Sequence, residues 1–178
     1  EKTNQKNISS IKNLNLAYHP MYLGDSNSAK VIYEFVDYNC GYCQKFHQEL
    51  INVMKDNSLK LVIIQMPILG NFSEELTKLA LASSMQGQFK VVHNYLYSTE
   101  RKSKMEDILA DLFLRGVDLD ILKNDLDSQE VSDFLSIHRS YADEFKFTGT
   151  PATIIGNQII PGFIDADKIT EILEKEFS

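Results

Sequence analysis

Two apolar runs rich in β-branched residues flank a segment of helical periodicity in the first third of the chain. The runs cover residues 30–36 and 59–66, and their composition is typical of strands buried on both faces. Between them, apolar residues from 43 to 54 recur at the three- and four-residue spacing of one helix face. A strand, a helix and a strand at this spacing predict parallel strands joined by a right-handed crossover.

The only two cysteines of the chain, Cys40 and Cys43, stand where the first predicted strand meets the helix. At a helix N-terminus, free backbone N–H groups and the helix dipole stabilise a thiolate. A disulfide between these cysteines closes a tiny loop and contributes little to stability. The pair therefore indicates a thiol–disulfide redox site, with Cys40 as the exposed nucleophile and Cys43 shielded one turn further along the helix.

The rest of the chain predicts a run of helices, then a hairpin and a last helix. Residues 73–145 carry several helical patterns and no strand pattern, with Ser73 as the candidate N-cap. Gly156 and Asn157 stand between two β-branched runs, which favours a tight two-residue turn. Residues 165–177 are amphipathic. The predicted order is βαβ, a helical insertion, then ββα.

This order defines the expected domain organisation. We expect an α/β domain formed by residues 29–70 and 146–178, interrupted by an inserted helical domain over residues 71–145. Residues 1–28 are polar and irregular, and we interpret them as a leader that wraps the domain with one or two helical turns.

Composition argues against several classes of partner. The net charge is −7, and residues 101–104 hold the longest basic run, so a nucleic-acid partner is not expected. No stretch approaches the ~18 consecutive apolar residues that span a bilayer. A structural zinc site needs about four ligands. The chain has no second cysteine pair, and its histidines (His19, His47, His93 and His138) have no paired spacing, so we expect no metal.

Three segments carry a family resemblance: residues 34–43 around the two cysteines, residues 67–70, and residues 148–162 around Thr150-Pro151. With these segments the chain resembles the thioredoxin superfamily, and within it the DsbA-like thiol–disulfide oxidoreductases of bacteria. The resemblance implies a thioredoxin fold with an inserted helical domain. It also implies a cis Thr150–Pro151 bond packed against the cysteines, which leaves the Thr150 backbone free to bind an extended substrate peptide.

The resemblance also implies roles for residues near the cysteines. Gly41 and Tyr42 set the redox poise, and because neither is a histidine, we expect a weaker oxidant than the family's type member. Glu34 stands where the family carries a buried acid, which is expected to relay the proton of Cys43. An edge-facing or water-bridged Glu34 is the alternative. Asp37 is expected to cap or turn.

Aromatic residues and one histidine are further candidates. The possible rim of a substrate groove consists of Phe35, Tyr38, Tyr42 and Phe163, although Phe35 suits the core better. Aromatic residues in the insertion are expected to be packing residues: Phe89, Tyr95, Phe113, Phe134 and Phe145. His47 is the histidine that can approach the cysteines, and we expect a half-buried helix residue there.

The leading hypothesis for function is a periplasmic dithiol oxidase, its export signal already removed, that introduces disulfides into exported proteins. It needs no cofactor beyond the redox-active disulfide, and substrate thiols react through a mixed disulfide on Cys40 that Cys43 resolves. The implied partners are reduced or unfolded exported proteins and a membrane redox partner. We expect a monomer and no nucleic acid.

Two alternatives stay open at this point. One is a disulfide isomerase or reductase kept reduced by a membrane partner, because relatives of those kinds also carry threonine at the position of Thr150. The other is a copper-binding protein with Cys40, Cys43 and His47 as ligands, because soft thiolates favour Cu(I).

Overall fold

A mixed sheet of five strands organises the computed structural model, which describes residues 8–9 and 21–178. The strands are β1 (Tyr22–Gly24), β2 (Val31–Val36), β3 (Lys60–Gln65), β4 (Ala152–Ile155) and β5 (Gln158–Pro161). Their spatial order is β1-β3-β2-β4-β5, with β2 and β3 parallel and the other pairs antiparallel. The central place of β2 explains its almost continuous apolar sequence.

Helices cover both the crossover and the insertion. The helix α1 (Gly41–Asp56) connects β2 to β3, and α7 (Ala166–Phe177) follows β5. Between β3 and β4 lie α2 (Asn71–Met85), α3 (Phe89–Leu96), α4 (Met105–Leu114), α5 (Leu119–Leu126) and α6 (Gln129–Glu144). This order confirms the predicted α/β fold of thioredoxin type with a helical segment between its two halves. In the described part of the chain, no helix is both long and apolar enough to cross a membrane.

The sheet buries apolar side chains on both faces. Ile32 and Val36 of β2 belong to the larger core, which also includes side chains of α1 and of the insertion. Tyr33 and Phe35 point to the opposite face, as the two-residue period of a strand requires. There Phe35 packs edge-on against Phe147, with 4.8 Å between ring centroids. Both faces of β2 are therefore covered, as its sequence predicts.

The predicted hairpin turn at Gly156 and Asn157 is confirmed. Gly156 has a φ of +58°, and a Cβ on it would lie within 3 Å of the Glu176 side chain. The Glu176 carboxylate accepts hydrogen bonds from the backbone N–H of Asn157 at 2.8 Å and from the Gln158 side chain at 2.9 Å. The helix α7 thus holds the turn from outside.

Two local predictions are wrong. Residues 22–24, predicted as part of a leader, form β1, with Tyr22 opposite Val62 of β3. Three residues are too few to show a strand period, and this strand depends on its partner. The helix α2 begins at Asn71 after Gly70, so Ser73 is not its N-cap. The helical turns predicted for the leader fall within residues 1–20, where all but residues 8–9 lie outside the described part.

Candidate active site

The two cysteines differ sharply in exposure. Cys40 is the N-cap of α1, in an extended conformation, and its sulfur accepts a hydrogen bond from the Cys43 backbone N–H at 3.3 Å. Cys40 is partly exposed, whereas Cys43 is fully buried, and both are free thiols in this structure. Burial raises the pKa of the Cys43 thiol, and hydrogen bonds from Thr150 and Asp37 offset part of that effect.

The Thr150–Pro151 peptide bond is cis, as predicted. The Cys40 thiol donates a hydrogen bond to the Thr150 carbonyl, with 3.5 Å between sulfur and oxygen. Pro151 is buried, and its carbonyl accepts a hydrogen bond from the Gly162 N–H at 2.9 Å. The loop before β4 therefore lies directly against the exposed cysteine, although 110 residues separate the two in the sequence.

Glu34 lies inside the sheet, fully buried, so the edge-facing alternative is wrong. Among the described residues, neither of its carboxyl oxygens has a hydrogen-bond partner. Burial, together with the charge of a Cys40 thiolate, raises the pKa of Glu34 to about 8. Glu34 is therefore a neutral acid at pH 7, and it lies close enough to Cys40 to sense its charge.

Asp37 fixes the turn that presents Cys40, as the sequence predicts. One of its carboxylate oxygens accepts from the Asn39 N–H at 2.8 Å. The other accepts from the backbone N–H groups of Ile68 and Leu69 at 2.8 and 3.0 Å. The carboxylate thus ties the loop before α1 to the loop after β3.

A buried polar cluster connects this loop to the insertion. The Tyr38 hydroxyl shares a hydrogen bond of 2.7 Å with His93 Nδ1 of α3 and accepts another, at 3.0 Å, from Gln65 of β3. Gln65 in turn accepts from the Thr77 hydroxyl of α2 at 3.3 Å. The Tyr97 hydroxyl, just after α3, donates to the Asp37 carbonyl at 3.1 Å. None of these contacts could be found from local sequence spacing.

His47 is buried rather than half-buried, so that prediction is wrong. Its ring packs against His93 and Tyr97, with centroids 5.0 and 5.3 Å away. Burial lowers the pKa of His47 to about 4, and the ring is neutral at pH 7. Among the described residues, no three potential metal ligands are grouped, so Cys40, Cys43 and His47 are not gathered as a ligand set in this structure.

The predicted aromatic rim is present only in part. Tyr42 and Phe163 are 63% and 39% exposed, with 6.3 Å between ring centroids. Tyr38 is buried in the polar cluster and Phe35 in the core, so Tyr38 is not a rim residue. In the insertion, Phe113 is exposed and is not the packing residue that the sequence predicts.

A CxxC pair whose first sulfur lies at a helix N-terminus, against a cis-proline loop, is the arrangement of thiol–disulfide oxidoreductases. A sequence profile of the family described as Thioredoxin matches residues 17–175. The chain belongs to the thioredoxin family.

Three relatives illustrate the similarity. The probable disulfide bond formation protein D of Bacillus cereus is 24% identical over 169 residues, which cover 86% of this chain and 77% of the relative. A thioredoxin-like oxidoreductase from Silicibacter pomeroyi is 26% identical, with a TM-score of 0.80 over 86% of this chain and 90% of the other. The thiol-disulfide exchange protein alpha-DsbA2 from Wolbachia pipientis is 24% identical, with a TM-score of 0.85 over 98% and 96%. These findings confirm the predicted class, a protein disulfide oxidoreductase.

Proposed function

We propose that the protein is a dithiol oxidase that transfers the Cys40–Cys43 disulfide to the thiols of exported proteins. The observation that supports this most is the exposure of one sulfur only. Cys40 lies at the N-terminus of α1, 3.5 Å from the Thr150 carbonyl, and Cys43 is buried behind it. A substrate can therefore form a mixed disulfide with Cys40 and not with Cys43.

The exchange balances in two steps. A substrate thiolate attacks the Cys40 sulfur, the Cys40–Cys43 bond breaks, and the electron pair stays on Cys43, which takes up a proton. Neutral Glu34 holds a proton at pH 7, and burial raises the pKa of Cys43, so the Cys43 thiolate accepts that proton and Glu34 regains one from solvent. The second substrate thiolate then attacks the substrate sulfur of the mixed disulfide and releases Cys40 as a thiolate. The substrate loses two electrons and the protein gains them.

In this direction the second substrate thiol, not Cys43, breaks the mixed disulfide. Attack by Cys43, the resolving step expected from the sequence, belongs to the reverse, reducing direction. Burial opposes ionisation of the Cys43 thiol and so disfavours that attack. This asymmetry favours release of an oxidised substrate.

Substrate binding uses the two features next to Cys40. The Thr150 backbone, beside the cis-proline, binds the substrate main chain in an extended form. The exposed rings of Tyr42 and Phe163 pack against apolar side chains that an unfolded protein exposes. Gly41 and Tyr42, between the cysteines, set the redox poise through their backbone N–H groups.

Such an oxidase works in an oxidising compartment, and the periplasm is the location that the DsbA-like resemblance implies. Reduced or unfolded exported proteins are the substrates. A membrane redox partner reoxidises the cysteines, no further cofactor is required, and the protein acts as a monomer.

Three assays on one preparation test the proposal. In the first assay, the oxidised protein is mixed with a reduced, unfolded substrate in the absence of oxygen. In the second, the reduced protein is mixed with a substrate whose disulfides are scrambled. In the third, light scattering gives the mass of the protein in solution. We expect one disulfide transferred per molecule, little reshuffling of the scrambled protein, and a monomer. Cys40→Ser abolishes the transfer. Rapid reshuffling by a dimer or trimer that oxidises no substrate would instead establish an isomerase.

A further inference from the structure

A small cleft opens beside Cys40 on the side of the helical insertion. Its volume is about 90 Å³, and its walls include Cys40, Asn39, Gln44 and Arg101. Neither Tyr42 nor the Thr150–Pro151 loop lines it. Tyr38, Leu96 and Tyr97 also line it, but it is separate from the Tyr42 rim and adds the polar side chains of Asn39, Gln44 and Arg101 beside the Cys40 sulfur.

Arg101 supplies the positive charge of this cleft. Its side chain is partly buried, and one guanidinium nitrogen donates to the Tyr38 carbonyl at 2.8 Å. A second nitrogen reaches the Asn39 side-chain oxygen at only 3.5 Å, which is a weak contact. Since guanidinium carries five N–H donors, the group is held in place with donors to spare.

Arg101 has no acidic partner within the described part of the chain. None of the ion pairs found there includes it. The charge of Asp37 acts on Arg101 from a distance, but the Asp37 oxygens accept three backbone N–H groups and form no ion pair with it, and Glu100 pairs with Arg115 at 2.8 Å. A fixed, half-buried guanidinium without a carboxylate is a prepared site for one.

We propose that Arg101 and the cleft beside Cys40 form a subsite for an acidic residue next to the reacting cysteine of the substrate. The proposal rests on the proposed function, because a substrate thiolate must approach the Cys40 sulfur. The residues on either side of the substrate cysteine then lie next to the cleft, because Cys40 is one of its walls.

The walls of the cleft are fixed before a substrate arrives. The Gln44 side chain donates to the Tyr97 carbonyl at 3.0 Å, and the Tyr38 carbonyl holds Arg101. Because these groups do not need to be ordered on binding, little conformational entropy is lost. The chain as a whole carries a charge of −7, which repels an acidic substrate. The positive charge of Arg101 in the cleft therefore attracts an acidic side chain only locally, next to Cys40.

The test compares two peptides that differ by one group. Each has a single cysteine, flanked on both sides by Glu in one peptide and by Gln in the other. The rate constant for attack on the oxidised protein is measured for the wild type and Arg101→Gln at low and high salt. For each protein we divide the rate constant of the Glu peptide by that of the Gln peptide. We expect this ratio to be about fivefold higher for the wild type than for Arg101→Gln, and the difference to shrink at high salt.

Comparing ratios removes the intrinsic difference in thiol reactivity between the peptides. Lys102→Gln is the matched control, because it removes the same charge from an exposed neighbour, and it should keep the wild-type ratio.

The Gln peptide reports on the proposed function alone. If it reacts normally but the Glu/Gln ratio is the same in the wild type and Arg101→Gln, the subsite does not exist. An Arg101→Gln variant that slows both peptides equally would show that Arg101 only positions the loop. If neither peptide reduces the wild type, both proposals fail.

Discussion

At the scale of single residues, Glu34 is the most unusual group of the molecule. A carboxyl group in the central strand, with no partner for either oxygen among the described residues, is costly to ionise. Burying the carboxyl group costs least free energy when the group is neutral. With a pKa of about 8, Glu34 is neutral at pH 7. Glu34 thus keeps its proton at pH 7, and it destabilises the fold wherever it is charged.

Replacing Glu34 therefore changes how stability depends on pH. The unfolded chain releases this proton near pH 4.5 and the folded protein near 8, so the folded state binds more protons between these values. The contribution of Glu34 to stability accordingly falls as pH rises through this window, whatever the buried histidines add. Glu34→Gln should lack that fall and gain up to roughly 5 kcal/mol over the wild type above pH 8.

Urea unfolding of the reduced proteins across this pH range measures the difference. Glu75→Gln, at an exposed position of α2, is the control for the loss of one carboxyl group. A Glu34→Gln variant whose advantage over the wild type is the same at low and high pH would contradict a buried, neutral Glu34.

At the scale of elements, the insertion is attached to the sheet by polar contacts as well as by apolar packing. Tyr38 follows β2, and its hydroxyl bonds to α3 through His93 and to β3 through Gln65. Tyr97 adds a bond from the end of α3 to the Asp37 carbonyl. The turn that presents Cys40 is therefore supported from the insertion, although the cysteine itself belongs to the thioredoxin-like part.

Tyr38→Phe tests this attachment. The change keeps the ring but removes the hydroxyl, so that Gln65 and His93 lose a buried partner. We expect a loss of about 1 to 3 kcal/mol in the free energy of unfolding, measured by urea denaturation. Tyr42→Phe removes the same group from a ring that is 63% exposed and should change stability by less than about 0.5 kcal/mol. Equal stability of the two variants would mean that the cluster contributes nothing.

Elements with a strong local pattern could be predicted from sequence, and those that depend on distant partners could not. The strands β2 and β3 and the hairpin turn at Gly156 have composition and spacing that few other structures share. By contrast, β1 has three residues and exists through its pairing with β3. Ser73 resembles an N-cap, yet the chain enters α2 earlier because Gly70 can adopt a φ of +99°.

The same division applies to the candidate site. The two cysteines and Pro151 could be found because a motif and a resemblance mark them. Tyr38 lies in the loop after β2, Gln65 in β3 and His93 in α3, and 55 residues separate Tyr38 from His93. No local sequence pattern therefore predicts their cluster. The sequence predicts Tyr38 at the rim because an aromatic ring beside a CxxC motif has the same sequence signal whether exposed or buried.

At the scale of the whole molecule, the Cys40 sulfur lies where the sheet, the helix α1 and the cis-proline loop meet, with the insertion close by. Each contributes one property: α1 directs the Cys43 N–H to the Cys40 sulfur, the sheet supplies buried Glu34, and the loop presents the Thr150 carbonyl. The insertion holds the turn and places Arg101 beside the cysteine. Burial of Cys43 leaves Cys40 as the partly exposed cysteine, and the proposed function therefore places disulfide exchange with other molecules at Cys40 alone.

Trapping the mixed disulfide tests that claim most directly. Reduced Cys43→Ser and Cys40→Ser variants are each incubated with a peptide disulfide, and intact mass together with peptide mapping locates the adduct. In Cys43→Ser, the Cys40 thiolate attacks the peptide disulfide, releases one peptide thiol and keeps the other peptide in a stable mixed disulfide. We expect this adduct on Cys40 and almost none on Cys43 in the other variant, because Cys43 is buried. Equal adducts in both variants, or none in either, would contradict the account.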